Sequence, residues 1–361
     1  MATNRVKAIY EHGQSIWLDF IERKFIKSGE LQKLIDEDGV RGITSNPAIF
    51  EKAISGSSEY DEQMKELVGQ SEEDIFYALA IKDIQDAADL FDGVYNDKVV
   101  GADGYVSLEV SPELARDTEG TIEQALDLWE RVDRKNVMIK IPGTAEGLPA
   151  IRKAISEGIN INVTLLFSLD RYAAVANAYI DGLEDRLAAG QPIDHISSVA
   201  SFFLSRIDVA VDPKLPEGSD LKAKVAVASA KKSYEIYKEI FSSERFKKLE
   251  EKGAKPQRLL WASTSSKDPA IADTYYVEAL IGPNTVDTVP METLVAFRDH
   301  GNAASTLESG LDEATQTLDS LKDLGINLDE ITTKLEEEGI EKFIAPYQKL
   351  LKAIADKVAS F

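Results

Sequence analysis

The chain has 361 residues, 43% of them hydrophobic and 29% charged, the make-up of an ordinary folded protein long enough to bury a sizeable core. A formal net charge of −22 argues against a nucleic-acid groove or an anionic membrane surface as partner, and the lack of any cysteine excludes disulfides, thiol nucleophiles and thiolate metal sites. The N-terminal stretch has no signal-peptide core, and no apolar run reaches the roughly 20 residues of a membrane helix, so a cytoplasmic location is expected.

In chain order, short β-branched or apolar runs read as strands at residues 15–20, 42–46, 104–110, 137–142, 160–167, 196–204, 258–265 and 284–290. Helical patterns lie between them. After the third run, Leu114, Ile122, Leu126, Trp129 and Val132 share one face of a 3.6-residue period. After the fifth, Ser168 stands where an N-cap belongs, ahead of Tyr172, Val175, Tyr179 and Leu183. After the seventh, Asp268-Pro269 offers a cap followed by proline in the first turn. Strand–helix alternation implies a parallel sheet, and eight repeats imply closure. The expected fold is therefore α/β, a (β/α)8 TIM barrel forming a single domain over residues 1–361. Extra helices are expected after strand two (47–103, two or three of them) and strand six (212–256), with a helical tail over 302–361 that has a junction at Ile326–Asp329.

The chemistry is carried by polar residues that keep one parity near the strand ends. In VMIKIP, Lys140 shares a face with Met138 and opposes Ile139 and Ile141. Glu109 in GYVSLEV, Thr164 and Asn162 in INVTLLF, Thr44 and Asn46 in GITSN, and Ser263 with Ser265 in RLLWASTS follow the same rule. Buried parallel strands are usually apolar on both faces, so a polar parity points into the barrel mouth, where barrel enzymes place their sites. A lysine desolvated there has a usable free amine that can attack a ketone and form a Schiff base, with Asp19 and Glu109 placed to move protons. A lone lysine near a strand end is more often solvated or ion-paired. It is the coincidence over five strands that favours an enzyme.

Several segments resemble the transaldolase family: GITSNPAIF its T-[ST]-N-P-[STA] motif, VMIKIPGT its Schiff-base lysine segment and INVTLLFS its strand-five segment. The longer bacterial subgroup, related to the transaldolase part of transaldolase/phosphoglucose isomerase fusions, is the most similar in length. The resemblance implies a transferase that moves a dihydroxyacetone unit between sugar phosphates in the non-oxidative pentose phosphate pathway. It implies Lys140 as the Schiff-base amine, Asp19 as the proton carrier, and Glu109 with Thr164 as holders of the reacting water. Thr44 and Asn46 would bind the dihydroxyacetone moiety, and Ser201, Arg206 and Ser263 would contact substrate or phosphate. Shorter members carry an arginine two residues after the serine matching Ser263, where this chain has Ser265; Lys267 is the nearby candidate substitute.

Two alternatives stand beside this reading. A fructose-6-phosphate aldolase-like lyase uses the same amine, but such relatives carry glutamine and tyrosine where this chain has Glu109 and Phe203. A non-catalytic sugar-phosphate-binding barrel would be expected to have lost Lys140, Asp19 or Glu109. His12, His195 and His300 share no metal-ligand spacing, so no metal and no organic cofactor is expected. The expected partners are sugar-phosphate substrates, not nucleic acid or membrane, and the expected state is a monomer or small homo-oligomer.

Overall fold

The computed structural model describes residues 4–97 and 103–361. Eight parallel strands close into a barrel in sequence order: β1 (Gln14–Asp19), β2 (Gly42–Thr44), β3 (Tyr105–Glu109), β4 (Val137–Pro142), β5 (Ile161–Leu166), β6 (Ser198–Phe203), β7 (Arg258–Ala262) and β8 (Thr285–Val289). Each lies within one of the runs read from the sequence, or overlaps it to within a residue. The alternation has its expected result: Ile139, Ile141 and Val163 pack outward under helices, while Lys140 pairs in register with Glu109 on one side and Asn162 on the other. The N-terminal end of the barrel is closed by Asp103, which accepts from Ser15 Oγ at 2.6 Å, Trp17 Nε1 at 3.1 Å and Arg258 Nη1 at 3.1 Å. Its carboxylate is thereby fully engaged, and the polar groups left for chemistry gather at the other end.

The insertions follow the expected plan with more detail. Residues 47–97 hold four helices, Pro47–Ser55, Asp61–Glu66, Glu72–Leu90 and Asp92–Tyr95, where two or three were expected; the end of that predicted segment, 98–102, lies outside the described residues. The second insertion holds Val225–Phe241 and Glu244–Glu250, and the tail holds Leu311–Asp323 and Leu328–Val358, joined at Asn327, whose side chain caps the second helix. Ser168 caps the Leu169–Ala188 helix by accepting from Arg171 N. No helix among the described residues is long and apolar enough to cross a membrane.

Two local expectations fail. The Thr118–Val132 helix buries Thr121, Ala125, Leu128 and Val132, whereas Leu126 is 37% exposed and Leu114 belongs to a separate 3-10 turn. Two stripes compete on that helix, and packing on the barrel selects the one that runs through Ala125 and Leu128. Asp268 does accept a cap-like bond from Ala270 N at 2.9 Å, yet no helix follows it, and the only helix there is Tyr275–Ala279. The bond makes a local turn, which Asp favours as readily as a helix start.

The long tail helix crosses the barrel mouth. It is tied by Glu336–Arg171 at 3.5 Å, Tyr347 Oη donating to Glu73 at 2.8 Å, Lys349–Glu51 at 2.8 Å and Lys357–Asp61. These anchors lie on the β5 side and on the helices after β2, so the tail bridges the two.

Candidate active site

A cleft of about 220 Å³ opens at the C-terminal ends of the strands, and Lys140 lies at its floor. The amine is buried, 5% exposed as a residue. Its Nζ donates to Ser45 O at 3.0 Å and lies 3.4 Å from Glu109 Oε2. Glu109 reaches it from behind: it does not line the cleft, and its second oxygen, Oε1, is buried without a hydrogen-bond partner. Burial pushes the Glu109 carboxyl up to about 7, with Lys140 opposing the shift and Asp19 adding to it.

Across the cleft, Asp19 stands at the end of β1 next to Thr44 in register. Thr44 Oγ1 donates to Asp19 Oδ1 at 2.7 Å and meets Thr288 Oγ1 at 2.7 Å, so the Thr288 hydroxyl donates into this chain. Burial raises the Asp19 pKa; Lys140 and the Thr44 bond oppose that and Glu292 adds to it. Beneath the amine, Asn162 receives Ser201 Oγ at 2.7 Å and donates to Ser107 Oγ at 3.0 Å, fixing three strands to one amide. Thr164 lines the cleft with its hydroxyl unpartnered. It sits where β5 slips register, beside Leu165 at φ +60°, a backbone state that costs a leucine strain and lets the chain re-aim.

The outer part of the cleft is cationic. Arg206, in the first turn of Ser205–Val211, lines it with Nη1 buried and unpartnered, and burial lowers the pKa of its guanidinium. Lys267 also lines it, donating to Ser265 Oγ at 2.5 Å. Partial desolvation lowers the Lys267 pKa; Glu292 works against this and Arg206 with it, which places the two cations in each other's field. A half-buried guanidinium with no carboxylate partner, beside an exposed ammonium, is the chemistry of an anion site.

Of the ten residues singled out from the sequence, nine line this one cleft: Asp19, Thr44, Asn46, Lys140, Thr164, Ser201, Arg206, Ser263 and Lys267. Glu109 touches it only through Lys140. Asn46 spends its side-chain oxygen capping the Pro47–Ser55 helix, bonding Ile49 N at 3.0 Å, and keeps its amide group for the cleft. Parity fails at β7: the strand stops at Ala262, Ser263 has φ +55°, and Ala262 through Ser265 all line the wall. Six lining residues were not anticipated: Ala262, Thr264, Thr288, Pro290, Glu292 and Phe343. The inward parity of Thr288 was available as a signal; nothing local marks Glu292 or Phe343.

Comparison with known proteins agrees with this geometry. A family model described as Transaldolase/Fructose-6-phosphate aldolase matches residues 16–354. A transaldolase of Trichodesmium erythraeum is 49% identical, with 99% of this chain and 98% of the relative covered. One from Saccharopolyspora erythraea is 48% identical over 99% of each chain, and transaldolase 2 of Nostoc sp. PCC 7120 is 48% identical over 99% and 98%. A barrel with these strand-end residues and relatives of this identity over its full span leaves one assignment: the chain belongs to the transaldolase/fructose-6-phosphate aldolase family, and its reaction is of the transaldolase type.

Proposed function

We propose that the protein transfers a dihydroxyacetone unit from fructose 6-phosphate or sedoheptulose 7-phosphate to an aldose phosphate through a Schiff base on Lys140. The observation that carries this is the buried Lys140 amine held between Ser45 O and Glu109 at the floor of the cleft, with Asp19 on the facing strand. Glu109, at 3.4 Å and with its pKa near neutrality, takes the proton that frees the amine. The amine adds to the ketose C2, and water leaves with protons passed by Glu109 and by a water held between its unpartnered Oε1 and the Thr164 hydroxyl. Two buried orphan groups cost about 1–3 kcal/mol each, which a held water offsets.

The resulting iminium draws the C3–C4 electron pair as that bond breaks, and Asp19 takes the C4 hydroxyl proton. The aldose phosphate leaves, an acceptor aldehyde enters, and Asp19 returns the proton to the new hydroxyl. Hydrolysis of the product iminium restores Lys140. Thr44 holds Asp19 in place and, with Asn46 and Ser201, binds the three-carbon unit; Ser263 contacts the rest of the substrate; Arg206, with Lys267, binds the phosphate. The lysine supplies the electron sink, so the cycle uses no cofactor, and a cytoplasmic site of action fits a soluble sugar-phosphate substrate.

Transfer is favoured over the lyase reaction by Phe203, which lines the cleft with no hydroxyl to orient a competing water. Reducing the protein with borohydride in the presence of fructose 6-phosphate should trap the adduct on the peptide spanning 137–142. An adduct elsewhere, or none, overturns the mechanism, and activity without an aldose acceptor moves the assignment to the lyase.

A further inference from the structure

The cleft is built from the C-terminal ends of barrel strands and the segments that follow them, with one exception. Phe343 comes from the tail helix Leu328–Val358. Its ring centroid is 5.7 Å from Lys140 Nζ, and the residue is 8% exposed. Glu109 approaches the amine from beneath the cleft surface and Phe343 from the cleft side.

The ring is held on both sides along its helix. One turn earlier, Gly339 packs against the end of β5: an added Cβ would stand 3.1 Å from Leu165 Cδ2 and 3.6 Å from the Phe167 ring. One turn later, Tyr347 donates to Glu73 at 2.8 Å. A glycine that permits close approach and a buried tyrosine anchor four residues to either side leave Phe343 little freedom to swing away.

We infer that Phe343 sets the fate of the lysine-bound three-carbon intermediate, shielding it from solvent so that it waits for an aldose acceptor and is not released as free dihydroxyacetone. The inference rests on the reading of Lys140 as the Schiff-base residue. After the first aldose leaves, the intermediate is an enamine. In transfer, its nucleophilic carbon attacks an aldehyde and Asp19 supplies the proton to the new hydroxyl. In release, that carbon instead takes a proton from solvent and becomes the iminium. Water then adds at the iminium carbon, the C–N bond breaks, and ketone, lysine amine and the proton are returned, so the net change is enamine plus water to ketone plus amine. Both routes use the water held at Glu109 and Thr164 for imine chemistry; only release needs a solvent proton at the enamine carbon. An apolar ring on the cleft side removes the water that would deliver it, and its π face stabilises the cationic iminium without offering a proton.

The test compares full-length Phe343→Ala and Phe343→Leu with the parent. Two rates are measured: transfer from fructose 6-phosphate to erythrose 4-phosphate, and dihydroxyacetone release from fructose 6-phosphate with no acceptor. Phe343→Ala is expected to raise the ratio of release to transfer about tenfold, a barrier change of ~1.4 kcal/mol. Phe343→Leu, which leaves a smaller opening, should raise it roughly threefold, or ~0.6 kcal/mol. Unchanged ratios, with both rates falling together, overturn the inference and leave Phe343 a packing residue. If Phe343→Ala does not fold by circular dichroism, Phe343→Leu decides alone, and a ratio equal to the parent's refutes the role. Failure of the underlying reading has a different signature: no borohydride adduct on residues 137–142 in the unsubstituted protein.

Discussion

Removing the Arg206 guanidinium should weaken binding of phosphorylated substrates far more than of their unphosphorylated counterparts. Arg206 makes no ion pair among the described residues, its Nη1 is buried without a partner, and burial lowers its pKa. A charge-assisted bond from such a group to a phosphate oxygen contributes about 1.5–3 kcal/mol, or roughly ten- to 150-fold in affinity. Lys267 is exposed and already bonded to Ser265, so solvent screening limits it to about 1 kcal/mol, near fivefold. Arg206→Ala is therefore expected to raise KM for fructose 6-phosphate by at least tenfold and Lys267→Ala by about fivefold or less. Arg206→Lys should recover only part of the loss, because an ammonium keeps the charge without the planar fork. The assay is steady-state transfer with fructose 6-phosphate and with fructose as donor. Equal increases in KM for both sugars would refute the phosphate assignment, and a larger effect from Lys267→Ala would refute the ranking of the two cations.

Lys140→Arg should abolish turnover and borohydride trapping, since arginine offers no neutral amine; near-full activity would rule out the Schiff base. Asp287 gives a pH prediction for stability. It is fully buried on β8, and burial pushes its carboxyl up to about 8 against the opposing pull of the Thr264 hydroxyl. The folded state thus holds this proton where the unfolded state has lost it, so the contribution to stability is intact below about pH 4 and declines as pH rises toward 8. At pH 7 the deficit is on the order of 4 kcal/mol as an upper bound. Asp287→Asn has no proton to lose, so the Tm of the variant minus that of the parent should grow from pH 5 to pH 8, and a difference flat with pH would refute the argument. Gly147→Ala should lower Tm and activity together, because the new Cβ would sit 2.1 Å from Pro142 O, two residues beyond Lys140; overpacking of this kind costs about 1–3 kcal/mol or more. An unchanged Tm would mean that the strand end yields without strain.

Strand positions and the inward set Lys140, Glu109, Thr44 and Thr164 were legible because side-chain alternation along a strand is a local property with a period of two. The same reasoning misjudged what local pattern underdetermines. On the Thr118–Val132 helix two stripes fit the period, and only the packing surface chose between them. At Ser263 the strand had already ended, and with it the parity.

By itself the sequence determined the barrel, the face that Lys140 turns to, and the residue types that reach the mouth, all from neighbours a few positions apart. Only the tertiary structure decided which distant groups meet there. Closure of β1 against β8 joins Thr288 to Thr44 and Asp19; the loop after β7 sets Lys267 in the field of Arg206; and the tail helix lays Phe343 over the amine of a residue some 200 positions earlier. Those meetings depend on packing between elements remote in the chain, where Gly339 and the strained turn at Leu165 control the distance, and no period within a segment records them.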